Sequence, residues 1–107
     1  MPRAAVIAAS TLALLVLASC GPPKPKVYSL AIASMAFGAA PPELHVGDTV
    51  EFVNADMFRH TATARDGGFD LDLAPKSSGR AVLRHAGSIE VYCRFHPGMT
   101  TRLAVAP

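Results

Sequence analysis

From Val27 onward Gly, Pro and Asp cut the sequence into short runs with partial apolar/polar alternation, and no stretch sustains a 3.6-residue period. A chain punctuated this closely has no room for a helical core, so the elements must be strands. The runs predict strands at about 27–33, 43–46, 49–54, 61–64, 79–84, 88–93 and 101–105, with short pieces at 35–37 and 69–71. Gly47-Asp48, Gly67-Gly68 and Gly87 supply the turns. Seven or so short strands in fewer than 90 residues cannot bury both faces of one flat sheet. The expectation is therefore an all-β Greek-key β-sandwich or flattened barrel of about seven to eight strands. Its core should hold Val50, Phe52, Val82, Ile89, Val91, Leu103 and Val105, with Leu30, Ile32 and Phe37 added.

The chemistry concentrates in Cys93-Arg94-Phe95-His96-Pro97-Gly98-Met99, directly after the strand expected at 88–93. A thiolate, an imidazole and a thioether within seven residues form a soft donor set suited to copper, and one Cys, two His and a weak axial Met describe a blue-copper site. The second imidazole must come from elsewhere. His60, at the edge of another strand-like run in Met57-Phe58-Arg59-His60-Thr61, is the best candidate. The competing reading is a hairpin with an incidental Cys and His, Pro97-Gly98 as ordinary turn residues and Met99 in the core. Zinc is served by Cys and His too, but nothing near this stretch offers a fourth zinc-type ligand, whereas Met99 fits a copper axial position. His45 and His85 are read as surface or turn residues, and Met35 and Met57 as core or rim residues.

Cys93-x-x-His96-x-x-Met99, with His60 upstream after Gly47-Asp48-Thr49-Val50-Glu51-Phe52-Val53-Asn54, resembles the cupredoxins, and within them the amicyanin, plastocyanin and pseudoazurin group. The short spacing of the ligand loop is similar to that of amicyanin, and the likeness covers roughly residues 27–105. It implies a cupredoxin-like copper-binding domain over 27–107, with metal ligands His60, Cys93, His96 and Met99 holding one copper ion that cycles between Cu(II) and Cu(I). It also implies that the His96 ring edge is the electron exit, inside an apolar patch of Phe58, Pro97 and Met57 where redox proteins dock transiently. Two positions depart from the family pattern. Thr61 stands where an Asn often ties the two ligand loops together, and its hydroxyl is the available substitute; Arg59 stands where Pro or Gly is common. Arg59 and Arg94 are either solvated charges or a positive rim that favours Cu(I) and an acidic partner.

The first residues set the compartment. Arg3, the apolar run 4–17 and Leu17-Ala18-Ser19-Cys20 read as a lipoprotein signal peptide over 1–19, with Cys20 lipidated and 20–26 a Pro-rich tether. An ordinary cleaved signal or an uncleaved anchor that contains Cys20 is the alternative. Acylation would leave Cys93 unpaired outside the cytoplasm, where coordination protects a thiol from oxidation. The expected location is exported, periplasmic or at the cell surface, anchored to a bacterial membrane by the N-terminal lipid.

Formal net charge is +2, with no basic stripe, so nucleic acid is not an expected partner; a monomer is. A copper ion held by four protein ligands has no open position for substrate, so the chain should not be an enzyme. The function expected is a type 1 (blue) copper protein carrying one electron outside the cytoplasm. The alternative is a copper-trafficking or storage lipoprotein that hands Cu(I) to a partner through the same ligands.

Overall fold

The computed structural model describes residues 2–13 and 24–107. Residues 2–13 are exposed and carry no regular secondary structure, and no helix among the described residues is long and apolar enough to cross a membrane. Cys20, most of the tether and the end of the expected signal lie outside the described residues.

Nine strands follow: β1 (Val27–Ala33), β2 (Ala36–Phe37), β3 (Leu44–His45), β4 (Thr49–Asn54), β5 (His60–Ala64), β6 (Asp70–Leu73), β7 (Ser78–Val82), β8 (Gly87–Cys93) and β9 (His96–Ala106). They make two mixed sheets, ordered β2-β1-β4-β7 and β3-β9-β8-β5-β6. The β1–β4 and β3–β9 pairs are parallel and the remaining pairs antiparallel. Contacts between β6 and β7 and between β2 and β9 close the sheets on each other at both edges. The architecture is the expected β-sandwich of two packed sheets, and β2 and β6 are the two short pieces anticipated from sequence.

Alternation builds the core. Leu30 and Ile32 of β1, Val50 and Phe52 of β4, Ile89, Val91 and Cys93 of β8, and Leu103 and Val105 of β9 all point between the sheets. Phe52 is fully buried at the centre, its ring centroid 6.3 Å from Phe37 and 5.8 Å from Phe69. Val82 departs from the expectation: it is 44% exposed, while Ala81 and Leu83 are buried in its place. Arg80, Val82 and Arg84 share one parity, and hydrating two guanidinium groups outweighs burying one isopropyl group, so the strand turns that parity outward.

The end of the sandwich away from β8's Cys93 is tied by Asp48. Its buried carboxylate accepts the backbone N–H groups of Lys26 (2.9 Å) and His45 (2.9 Å), linking the start of β1 to the β3–β4 turn. The Lys26 amide holds the carboxyl below its ordinary 3.8, outweighing the opposing effect of burial. A carboxyl whose folded pKa lies below its unfolded one stabilises the fold above the unfolded value, and that contribution fades as pH falls through the folded value. Asp70 is shifted the same way, chiefly by the Thr63 hydroxyl. Denaturant midpoints of the metal-free protein should thus be level near neutrality and fall below about pH 4. Asp48→Asn should flatten that fall; an acid limb of unchanged depth would remove Asp48 from this role.

Candidate metal centre

The alternation that places Ile89 and Val91 in the core carries Cys93, the last residue of β8, into the same interior, where it is completely buried. The chain then reverses through Arg94-Phe95 and enters β9 at once, with Cys93 opposite His96. The turn is therefore earlier and tighter than a Pro97-Gly98 turn would have made it, and β9 begins at His96 rather than near residue 101. Tyr92 pairs with Thr100 while Cys93 pairs with His96, so Pro97, Gly98 and Met99 are extra residues on one side of the ladder. A bulge of this kind re-aims side chains at a strand end. Here it buries Met99 and leaves Pro97 and Gly98 exposed.

The opposite wall is β5, whose first residue is His60, also fully buried. Asn54, at the end of β4, organises the approach: its amide donates to the carbonyls of Phe58 (2.8 Å), Leu73 (3.1 Å) and Ala74 (3.2 Å), and its oxygen accepts the Asp56 N–H (3.0 Å). The 55–59 segment is thereby held against β6, and His60 emerges facing Cys93.

The donor atoms converge. Cys93 Sγ lies 3.8 Å from His60 Nδ1 and 3.5 Å from His96 Nδ1, and the three donor atoms all fall within 4.8 Å of one another. Ligands about 2.0–2.3 Å from a common ion, spread around it in a plane, stand about 3.5–4 Å apart, so the spacing suits one ion. The two imidazoles meet edge to face, with centroids 5.1 Å apart and an interplanar angle of 62°. Among the described residues no fourth His, Cys, Asp or Glu joins the cluster, and buried Met99 is the remaining soft donor of the hairpin. That composition suits a thiophilic ion of the copper type better than zinc. His45 and His85 lie elsewhere, on β3 and in the β7–β8 connection.

Burial pushes the Cys93 thiol up, yet the Thr61 N–H, His96, His60 and the Phe95 N–H together pull it below its ordinary 9.0, to about 6. The Thr61 amide is 3.3 Å from the sulfur. The pocket thus favours thiolate, the form that binds metal.

Asp56 escaped the sequence reading. Its carboxylate lies 2.7 Å from His60 Nε2 and accepts the N–H groups of Ser34 (2.7 Å) and Met35 (2.9 Å). With Nδ1 facing the sulfur, Nε2–H donates to Asp56, which fixes the ring's tautomer and orientation. Ser34 (φ 52°) and Met35 (φ 62°) form the two-residue turn between β1 and β2, and both sit in the left-handed region that side-chain-bearing residues avoid. Asp56 holds that turn as well. An acid four residues before a histidine is too common a pattern to have marked it. Asp56→Asn should weaken metal binding roughly 10–100-fold, measured by competitive titration; an unchanged affinity would reduce Asp56 to a support for the turn.

The arginines beside the donors do not make a positive rim. Arg59 pairs with Asp72 through both carboxylate oxygens (3.1 Å each) and Arg94 with Asp70 (3.1 Å), so each charge is offset where it stands. Apolar side chains dominate this end instead: Met57 is 80%, Phe58 60% and Phe95 48% exposed. Phe95 joins the patch expected around His96 from Phe58, Pro97 and Met57.

Structure comparison places the chain beside amicyanin. An oxidised methionine-to-leucine variant of amicyanin matches with a TM-score of 0.60 and 26% sequence identity, over 73% of this chain and 80% of that one. A reduced Cu(I) form of a proline-to-glycine variant gives a TM-score of 0.61 at 26% identity, over 74% and 81%. The reduced state of a proline-to-phenylalanine variant gives 0.61 at 28% identity, with the same coverage of 74% and 81%. No family model matches the sequence, and no curated protein matches it.

Proposed function

We propose that this chain, whose fold is that of the cupredoxins, is a type 1 copper protein that carries single electrons outside the cytoplasm. The observation that carries the reading is the convergence of Cys93 Sγ with His60 Nδ1 and His96 Nδ1 inside a rigid sheet end. The likeness to amicyanin structures recorded in oxidised and reduced Cu(I) states supports it. Bound copper would supply a one-electron Cu(II)/Cu(I) couple. Cys93 would hold it as thiolate, with His60, His96 and Met99 as the further ligands.

The residues around the donors serve that role. Asp56 fixes His60 and Asn54 fixes the segment before it, so the donors move little when the charge they hold changes. His60, Cys93 and Met99 are buried, and His96 alone is partly exposed, which makes its ring the contact edge. Met57, Phe58 and Phe95 beside it offer the dry surface that short-lived redox encounters use. Four protein donors leave no place for a substrate, so the chain is a carrier and no enzyme. Location outside the cytoplasm and lipidation at Cys20 rest on residues 1–20 alone.

Copper titration of the chain from Gly21 onward, followed by visible absorption and EPR, tests the reading. The expected result is an intense blue band with narrow copper hyperfine splitting that saturates at one ion per chain. Colourless binding with rapid reduction would instead favour transfer of Cu(I) between proteins, and absence of binding would end both readings. Met99→Gln should retain the blue site at a lower reduction potential, because a harder axial oxygen favours Cu(II). An unaltered potential would exclude Met99 as a ligand.

A further inference from the structure

Thr61, which stands where the related copper proteins often have Asn, belongs to a closed chain of hydrogen bonds that the copper reading does not use. The β5–β8 ladder pairs Ala64 with Val91 and Thr63 with Tyr92 and then stops. Beyond it the strands are joined by side chains. The Thr61 N–H donates to Cys93 Sγ (3.3 Å), and the Arg94 N–H donates to Thr61 Oγ1 (2.9 Å). Thr61 Oγ1 lies 2.9 Å from Thr63 Oγ1, and Thr63 Oγ1 lies 2.7 Å from Asp70 Oδ1, on the residue directly opposite Thr63 in β6. Arg94 Nε donates to that same Asp70 oxygen (3.1 Å) and closes the ring.

The ends of this chain set its direction. An amide can only donate and an ionised carboxylate can only accept, so Thr63 donates to Asp70, Thr61 donates to Thr63, and the Thr61 oxygen accepts from Arg94. Each hydroxyl proton is committed. Thr61 and Thr63 are both buried, so water does not compete for these protons. The consequence for the sulfur is specific: the side chain of Thr61, the residue whose amide reaches Sγ, is held in one orientation.

We propose that Thr63 and Asp70 are positioning residues for the Cys93 sulfur, which hold Thr61, whose N–H reaches it, and pin the Arg94 end of the ligand hairpin. The proposal rests on Cys93 being the copper thiolate. A hydrogen bond to a thiolate withdraws electron density from it and favours Cu(I), so holding the Thr61 N–H on the sulfur keeps the potential above the value a looser segment would give.

Thr63→Val is the test, with Thr63→Ser as its conservative control. In the copper-loaded protein, Thr63→Val releases Thr61 and weakens the bond from its N–H to the sulfur. The thiolate-to-copper band should move to lower energy, and the preference for Cu(I) over Cu(II) should fall about tenfold, equal to about 59 mV for one electron. Thr63→Ser should restore both. Asp70→Ala, at an exposed strand position, should shift both readouts in the same direction if Thr63→Val does not fold. In the metal-free protein the Arg94 amide should be protected from hydrogen exchange and at least tenfold less so in Asp70→Ala. An unmoved band and potential, or a Thr63→Ser protein that behaves like Thr63→Val, would overturn the proposal and leave a purely structural contact. A freely exchanging Arg94 amide in the metal-free wild type would overturn the relay itself. A chain that binds no copper yet protects Arg94 would refute the copper reading while leaving the hydrogen-bond ring in place, and the tuning role would fall with the copper.

Discussion

Replacing Cys93 by Ser will abolish the blue thiolate-to-copper band and leave the metal-free fold standing. The colour needs a sulfur-to-copper charge transfer, and a serine oxygen binds too weakly and ionises far too reluctantly to replace it. The fold should tolerate the change because the position is polar despite its burial. The Thr61 N–H and both imidazole Nδ1 atoms already face the side chain, and a hydroxyl can accept from the amide and donate to His60 Nδ1 in place of sulfur. Absorption after copper addition and a thermal melt without copper check the two halves separately. A Cys93→Ser protein that stayed blue would show that Cys93 is not the ligand; one that failed to fold would show that the thiol is needed for packing as well.

Phe52→Ala carries the largest expected cost to stability. The ring is fully buried between the sheets, with Phe37 and Phe69 on it, and emptying such a site costs about 3–5 kcal/mol. A domain of this size has a total stability of about 4–12 kcal/mol, so the metal-free variant should be largely unfolded or close to it. Copper should rescue it by mass action, since a ligand present at about a thousand times its dissociation constant adds about 4 kcal/mol to the folded state. Denaturant midpoints with and without copper measure both effects. A loss under about 1 kcal/mol would mean that the sheets close over the gap, and a copper-independent midpoint would mean that the ion is held equally by the unfolded chain.

How far the sequence reached can be judged from single residues. Val50, Phe52, Ile89 and Val91 declared themselves by alternation, and the buried parity of β8 runs straight on to Cys93. Val82 was misjudged because hydrophobicity was weighed residue by residue; the two arginines at its own parity held the answer. The convergence of His60, Cys93 and His96 was legible because donor type and spacing both constrain it. Asp56 and the Thr61–Thr63–Asp70 relay were not, because Asp and Thr serve so many turns and strands that only the register of β5 against β6 gives them meaning. The positive rim failed for the same reason. Asp70 and Asp72 lie 11 or more residues after Arg59 and well before Arg94, and only the sheet brings each pair together.

The parallel pairing of β3 with β9 has a consequence in time. Leu44 meets Val105 and His45 meets Ala106, so an early strand waits for a late one before the second sheet acquires its edge. Closing so long a loop is slow compared with forming a hairpin. As the chain emerges, Cys93 is made before the strand that shelters it is complete. The thiol therefore passes through an interval in which it is neither buried nor coordinated, and oxidation during that interval competes directly with maturation. Docking of residues 96–106 therefore shelters the thiol at the same step that completes the sheet.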